Sequence, residues 1–219
     1  MKVLLADDHT IVRQGLRSLL ENKARVHVVG EAVNGREAIE LARNCEPDLV
    51  IMDIAMPGLN GLEALSQIKK EHPLLKVIFL SMHVEENYVT RALQCGASGF
   101  IYKGSVFDDL ELAMEAVQAN QTFLSSAVSK VLVSGFTDIK EEPVQQCSLD
   151  QLSPREREVM QMTAEGCNRH EIADALSISV KTADKHKKNL KKKLKIQRED
   201  NIAELARSFG LIGNYDSEH

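Results

Sequence analysis

The sequence predicts two domains of different class, a parallel α/β domain at the N-terminus and a small all-helical domain at the C-terminus. Three observations carry this expectation. At 219 residues the chain is longer than one compact domain usually needs. Its first half alternates short apolar runs with longer segments of helical period, the pattern of a parallel sheet covered by helices. Its last third carries four helical segments separated by short turns.

Taken in order, the expected strands are Lys2 to Ala6, Val26 to Glu31, Leu49 to Met52, Val77 to Ser81 and Gly99 to Tyr102. Their Val, Ile and Leu content suits strands buried on both faces. The expected helices run from about Ile11 to Glu21, Gly35 to Asn44, Gly61 to Glu71, Glu85 to Cys95 and Phe107 to Ala119. Pro47, Pro73 and Gly96 fall where helices should stop. From about Gln121 to Asp150 the periodicity weakens, and GFTDIKEEPVQQ mixes Gly, Pro and charge as an exposed connector does. Beyond it Ser153 and Pro154 mark a helix start, with Ser as cap, Pro at the first helical position and Glu156 where a capping-box acid belongs.

Composition excludes several classes. An apolar share of 43% with 27% charged residues is that of a soluble globular protein, and no apolar run approaches the roughly 20 residues that span a bilayer. MKVLLADDH meets two acids too early for a signal peptide and reads as a buried strand. Cys45, Cys95, Cys147 and Cys167 are scattered without a C-x-x-C pair, so they read as reduced cytosolic thiols and not as a zinc site. The net charge of -5 is unevenly placed: residues 1–120 hold 12 basic and 17 acidic side chains, whereas Lys181 to Arg198 hold nine basic residues and one acid, Asp184. That stretch suits either a polyanion partner or a solvated helix, and its neighbours decide between them.

In an open parallel sheet, functional groups gather beyond the carboxyl ends of the strands. Asp7 and Asp8 close the first expected strand and Asp53 the third, which lie side by side if the order is 2-1-3-4-5. Three carboxylates in one crevice repel one another unless a cation neutralises them, and oxygen-only donors at this density suit Mg2+ with several retained waters. Ser81 and Lys103 end the fourth and fifth strands, adding a hydroxyl and an ammonium. A carboxylate nucleophile, a metal, a cation and a hydroxyl are the groups that stabilise a transferring phosphoryl group. Singly, an Asp here would cap a helix and the Lys would be surface charge; their agreement at four strand ends favours a phosphate site.

LLADDH, VIMDIAMPGLNG, FLSMH and GFIYKG, at their spacing over residues 1 to about 120, resemble the motifs of response-regulator receiver domains. The resemblance implies a flavodoxin-like five-stranded sheet of order 2-1-3-4-5, with its site at the point where the strand order reverses. It implies Asp53 as phosphoacceptor. Mg2+ would be ligated by Asp8, Asp53 and the carbonyl of Ala55, with Asp7 acting through a metal-bound water. Ser81 and Lys103 would contact the phosphoryl oxygens, and Phe100 would be the aromatic that turns inward with Ser81 on phosphorylation. Gly104 departs from the Pro that many receivers carry after the Lys.

LSPREREVMQMTAEGCNRHEIADALSISVKTADKHKKNLKKKLKI resembles the LuxR-type helix-turn-helix, and the two resemblances together place the chain with NarL/FixJ-type response regulators. A scaffold helix over His170 to Leu176, a turn over Ser177 to Ser179 and a recognition helix from about Val180 to Leu194 follow. Ile172, Leu176, Ile178, Ala183, Leu190 and Leu194 would pack inward. Lys181, Thr182, Lys185, Lys188 and Lys192 would face double-stranded DNA. Ala183 and Asp184 depart from the commoner residues of such helices, and Asp184 is expected to contact Lys187 or Lys188 rather than a base.

The expected organisation is a receiver over 1–120, a linker over 121–149, a DNA-binding domain over 150–213 and a tail over 214–219. The implied function is that of a cytoplasmic two-component regulator, not an enzyme. A sensor histidine kinase phosphorylates Asp53, and phosphorylation controls homodimerisation and sequence-specific promoter binding. A dehalogenase-type phosphatase would carry a second Asp where Ala55 stands, and a dinucleotide enzyme would need a G-x-G-x-x-G after the first strand. A phosphorylation-controlled adaptor is the remaining alternative, told apart by salt-independent protein binding in place of salt-sensitive DNA binding.

Overall fold

The computed structural model describes residues 1–22, 25–82, 84–137, 149–194, 196, 200–208 and 211–212. The chain divides into two compact units, Met1–Ile139 and Lys140–His219.

In the first unit β1 (Lys2–Ala6), β2 (His27–Ala32), β3 (Leu49–Asp53), β4 (Lys76–Ser81), β5 (Gly99–Tyr102) and β6 (Phe123–Leu124) form one sheet of order β2-β1-β3-β4-β5-β6. Every pairing is parallel. Six helices accompany it: α1 (Thr10–Glu21), α2 (Gly35–Cys45), α3 (Gly61–Glu71), α4 (Glu86–Gln94), α5 (Val106–Gln118) and α6 (Ser126–Thr137). Strand residues alternate between two apolar layers. Leu4, Val50, Met52, Val77, Phe79 and Phe100 face one side, with Ala38 of α2, Leu65 of α3 and Val89 of α4. Val3, Leu5, Ile51, Ile78, Leu80 and Ile101 face the other, with Leu16 of α1 and Leu110 of α5. Both faces are thus covered, which is why these strands are nearly all apolar.

The five-strand expectation needs correction. Residues 123–137, expected in the connector, form β6 and α6. Phe123 and Leu124 pair with Gly99 and Phe100, and the Ser125 amide donates to the Phe100 carbonyl at 3.0 Å. The Ser125 hydroxyl then accepts from the Tyr102 amide at 3.1 Å, so a side chain continues the ladder where the strand ends. A strand of two residues has no visible alternation. The following helix carries no acid in its first turn and no base in its last, so neither end is marked in the sequence. Its buried Val128 and the partly buried Leu132, four residues apart, join the first apolar layer. The rest of the expected connector, residues 138–148, and the tail at 214–219 lie outside the described residues.

The second unit contains α7 (Pro154–Ala164), α8 (Arg169–Ala175), α9 (Val180–Lys193) and α10 (Asp200–Ser208). Its helices start where capping predicts. Ser153 and Glu156 form a capping box on α7, Asn168 and Glu171 another on α8, and the Ser179 hydroxyl accepts from the Thr182 amide at 3.1 Å. Ile172, Leu176, Ala183, Leu190 and Leu194 are buried in its core, with Ile178 partly buried beside them, as expected. Fully burying each large aliphatic side chain contributes roughly 1.5–3 kcal/mol. Among the described residues no helix is long and apolar enough to cross a membrane.

Two glycines let the loop after β3 lie against the sheet end. A Cβ on Gly35 would stand 2.3 Å from the Leu59 carbonyl oxygen, and one on Gly61 would stand 2.2 Å from the carbonyl oxygen of Asp53. Backbone cannot yield as a flexible side chain can. Gly61→Ala is therefore expected to destabilise the first unit by roughly 1–3 kcal/mol, the usual cost of overpacking. Urea denaturation of the full chain checks this; an unchanged midpoint would refute the crowding.

Candidate functional site

The parallel order sets β1 beside β3, so the carboxylates at their ends converge. Asp53 ends β3 and is 3% exposed, while Asp7 follows β1 and is 1% exposed. Lys103 reaches both: its Nζ lies 2.6 Å from Asp53 Oδ2 and 2.8 Å from Asp7 Oδ2, with a side chain only 7% exposed. Burial pushes the Asp53 carboxyl up to about 6, with Asp7 adding to the rise and Lys103 opposing it. Burial lowers the Lys103 ammonium, but Asp53 and Asp7 outweigh it and hold it above its ordinary value. At neutral pH the Asp53–Lys103 pair is therefore ionised.

The remaining expected residues gather at the same end of the sheet. Asp8 sits at the rim, and its Oδ1 lies 2.8 Å from His9 Nδ1. Ala55 is half-buried and its amide donates to Asp53 Oδ1 at 3.2 Å, which aims the carboxylate. Ser81 is buried at the end of β4, in register with Tyr102. Phe100 is wholly buried, its ring centre 6.3 Å from that of Phe79, which is the inward position. Gly104 has a steric reason: a Cβ there would stand 2.3 Å from the Tyr102 ring.

Asp7, Asp8, His9 and Asp53 each offer a ligand atom, all within 4.8 Å of one another. Asp7 Oδ2 and Asp8 Oδ1 are buried; the first lies 2.8 Å from the Lys103 ammonium and the second 2.8 Å from His9 Nδ1, neither contact having the geometry of a hydrogen bond. Hard carboxylate oxygens left with unused lone pairs fit a divalent cation.

In the second unit the expected contact residues line the outer side of α9. Lys181, Lys185, Lys188 and Lys192 are exposed. Thr182 is half-buried and its hydroxyl lies 2.7 Å from the Ser179 hydroxyl, so it is partly committed to the helix start. Asp184 is exposed on the same helix, about one turn before Lys187 and Lys188.

A family model described as the response regulator receiver domain matches residues 3–115, and one described as bacterial regulatory proteins, luxR family, matches residues 150–207. The chain is a NarL/FixJ-type response regulator. It is 35% identical to the transcriptional regulatory protein MctR of Rhizobium johnstonii over 97% of this chain and 95% of that protein. It is 34% identical to the nitrate/nitrite response regulator protein NarL of Escherichia coli over 89% of each. A solved structure of the Salmonella typhimurium RcsB response regulator, 30% identical, superposes with a TM-score of 0.59 over 95% of this chain and 98% of that one. The family is one of transcriptional regulators of two-component systems and not of enzymes.

Three residues of this response regulator escape a reading of its sequence. Arg13 donates to the Asp7 carbonyl at 2.7 Å and to Glu31 at 2.9 Å, tying α1 to the ends of β1 and β2. His9 stands beside the paired acids. Lys193 donates to Glu156 Oε2 at 2.6 Å, so it clamps the end of α9 to the start of α7. The DDH triplet is a signal for His9; nothing local signals a partner 18 or 37 positions away.

Glu156 thus serves its capping box and the Lys193 pair at once. Burial pushes its carboxyl up, but hydrogen bonds from Lys193 and Ser153 outweigh this and hold it below the usual range. The pair's stabilisation is then fully present above the ordinary carboxylate value and is lost as pH falls through the lower folded value. Lys193 is 41% exposed, so Lys193→Ala is expected to cost about 1 kcal/mol rather than the several of a buried pair. Calorimetry of the second unit's transition in the full chain checks both points: the deficit should shrink as pH falls below the ordinary carboxylate value, and a deficit independent of pH would exclude the pairing.

Proposed function

We propose that Asp53 accepts a phosphoryl group from a sensor histidine kinase, and that this controls homodimerisation and sequence-specific DNA binding by residues 150–213. The observation that carries the proposal is the Asp53 carboxylate held 2.6 Å from a buried ammonium, with a second buried acid beside it. A carboxylate oxygen attacks phosphorus, the phosphorus–nitrogen bond of the phosphohistidine breaks, and the imidazole leaves with that bond's electron pair. The product is an acyl phosphate on Asp53. Lys103 is already placed to balance the charge on the transferred oxygens, and the Ser81 hydroxyl stands at the neighbouring strand end. Asp8, Asp53 and the Ala55 carbonyl would hold Mg2+, with Asp7 acting through a water. When bound, Mg2+ would offset the excess negative charge and withdraw charge from the phosphoryl oxygens.

The new dianion competes with Asp7 for Lys103 and engages Ser81, which alters the ends of β4 and β5 and the surface of α4 and α5. Phe100, buried beside Phe79, is the aromatic that repacks with Ser81 in this switch. A surface altered in this way shifts the dimer equilibrium. Two linked DNA-binding units hold paired half-sites through effective concentration, without any change in the recognition helix. The cytoplasm, where kinase and DNA are both within reach, is the place for such a protein.

Asp53→Asn is expected to abolish phosphorylation that requires Mg2+ in the wild type, and Asp8→Asn to weaken it. Phosphoprotein mass spectrometry decides this, since undiminished labelling of the Asn variant would move the acceptor elsewhere. Light scattering should then show a greater dimer fraction with a phosphoryl mimic. Unchanged mass with raised DNA affinity would replace dimerisation by uncovering of α9.

On α9, Thr182, Lys185 and Lys188 follow one another at three-residue steps from the N-terminal end, where side chains of a recognition helix reach base edges, and Lys185 and Lys188 favour guanine. Lys181 and Lys192 are the phosphate contacts. Lys188→Ala should cost roughly 1–3 kcal/mol on the preferred site and little on scrambled duplex. Lys192→Ala should weaken both alike and lower the salt slope by about one. Titration of both duplexes across salt concentrations separates the two; equal losses for Lys188→Ala would make it a phosphate contact.

A further inference from the structure

The outer face of α9 carries one acid among its lysines. Successive helical residues turn by about 100°, so Lys181, Asp184, Lys185, Lys188 and Lys192 share an arc of about 100°. All five are exposed, and the buried Ala183, Leu190 and Leu194 lie on the opposite side. The expected contact of Asp184 with Lys187 or Lys188 is not made: among the described residues its carboxylate has no ion-pair partner. The acid is thus left on the surface that the lysines offer to a polyanion. A carboxylate there is repelled by duplex phosphates, and its stem of one methylene keeps it close to the helix axis, away from the groove walls. Asp184 is also the fifth residue of α9, in the half of a recognition helix whose side chains reach base edges.

We propose that Asp184 is a specificity-determining residue whose carboxylate accepts a hydrogen bond from the N4 amine of a cytosine in the major groove. The inference rests on α9 being the DNA-reading helix, as proposed above. The donors on the groove floor are the cytosine N4 and adenine N6 amines, and adenine sets the acceptor N7 beside its amine, where it repels a carboxylate. Guanine and thymine present acceptors at the corresponding position, so they leave the carboxylate desolvated and unpaired. Side chains four apart on a helix stand about 6 Å from each other and stacked bases about 3.4 Å, which puts the cytosine within about two base pairs of the guanine faced by Lys188. Asp184 therefore acts twice, by rewarding the right base and by offsetting one lysine on every other duplex. The alternative role is a solvated charge that repels all duplexes alike.

The test is recovery of bound duplexes from a randomised pool by the full chain with a phosphoryl mimic, for wild type, Asp184→Asn and Asp184→Ala, followed by titration of the recovered and scrambled duplexes across salt concentrations. Wild type should favour cytosine at one position by roughly tenfold over thymine or adenine. Asp184→Asn should move that preference to adenine, whose N6 and N7 an amide meets with two bonds. Asp184→Ala should lose the preference at that position alone, keep the neighbouring guanine, and bind scrambled duplex several-fold more tightly with a salt slope steeper by about one. The same sequence recovered by all three proteins, with affinity raised uniformly or unchanged in the variants, would overturn the proposal and leave the DNA-binding reading standing. A wild type that enriches no sequence over scrambled duplex would overturn both. Thermal melting of the two variants, expected to match wild type because the site is exposed, shows that the fold is kept.

Discussion

The contact of the Lys103 ammonium with Asp7 and Asp53 is the constraint around which the first unit is arranged. Two carboxylates this deeply buried repel each other in a medium that screens poorly, and Lys103 lies within 2.8 Å of both. Placing it there requires β5 to end level with β3 and β4. The register that pairs Asp53 with Leu80 and Ser81 with Tyr102 does so. With Asp8 counted, three carboxylates face one ammonium, and the excess of negative charge is what makes the pocket a place for cations and for charge-changing chemistry. Each packing feature nearby serves that end. The Ala55 amide aims Asp53, Arg13 holds the Asp7 carbonyl, and Gly61 admits α3 against the Asp53 backbone.

The second unit solves a smaller version of the same problem. Glu156 is buried in a domain whose recognition helix is strongly basic, and it is satisfied by its own helix start and by a lysine from the far end of α9. The orientation of the recognition helix therefore depends on one of its own cations. Among the lysines of α9, Lys181, Lys185, Lys188 and Lys192 are exposed and available to a polyanion, whereas Lys193 is used to hold the helix in place. A count of positive charge along the sequence does not distinguish them.

Ends and edges were the least legible parts of the fold. β6 consists of two residues completed by a serine hydroxyl, and α6 lacks charged residues at its ends, so both lie in a stretch whose weak periodicity resembles a connector. Their effect is structural: they cover the otherwise open edge of β5, which an exposed parallel strand requires. Phe100 belongs with them. Its identity and its place on β5 were visible, but its tilted packing against Phe79, a neighbour from another strand, was not.

What this sequence determined by itself was the class of each unit, the strand ends and the residue types placed there. Short apolar runs and a period of 3.6 with its caps fix elements locally, and Asp7, Asp8, Asp53, Ser81 and Lys103 all follow from strand ends meeting on one side of a parallel sheet. What only the tertiary structure decided was which of those groups touch. Lys103 binds Asp7 as well as Asp53, His9 leans on Asp8, and Lys193 turns from the basic surface of α9 to pair with Glu156. These are contacts between residues far apart in the chain, or between side chains free to turn either way. Their choice is made by burial and by the cost of leaving a charge unpaired, and neither quantity exists until the chain has folded.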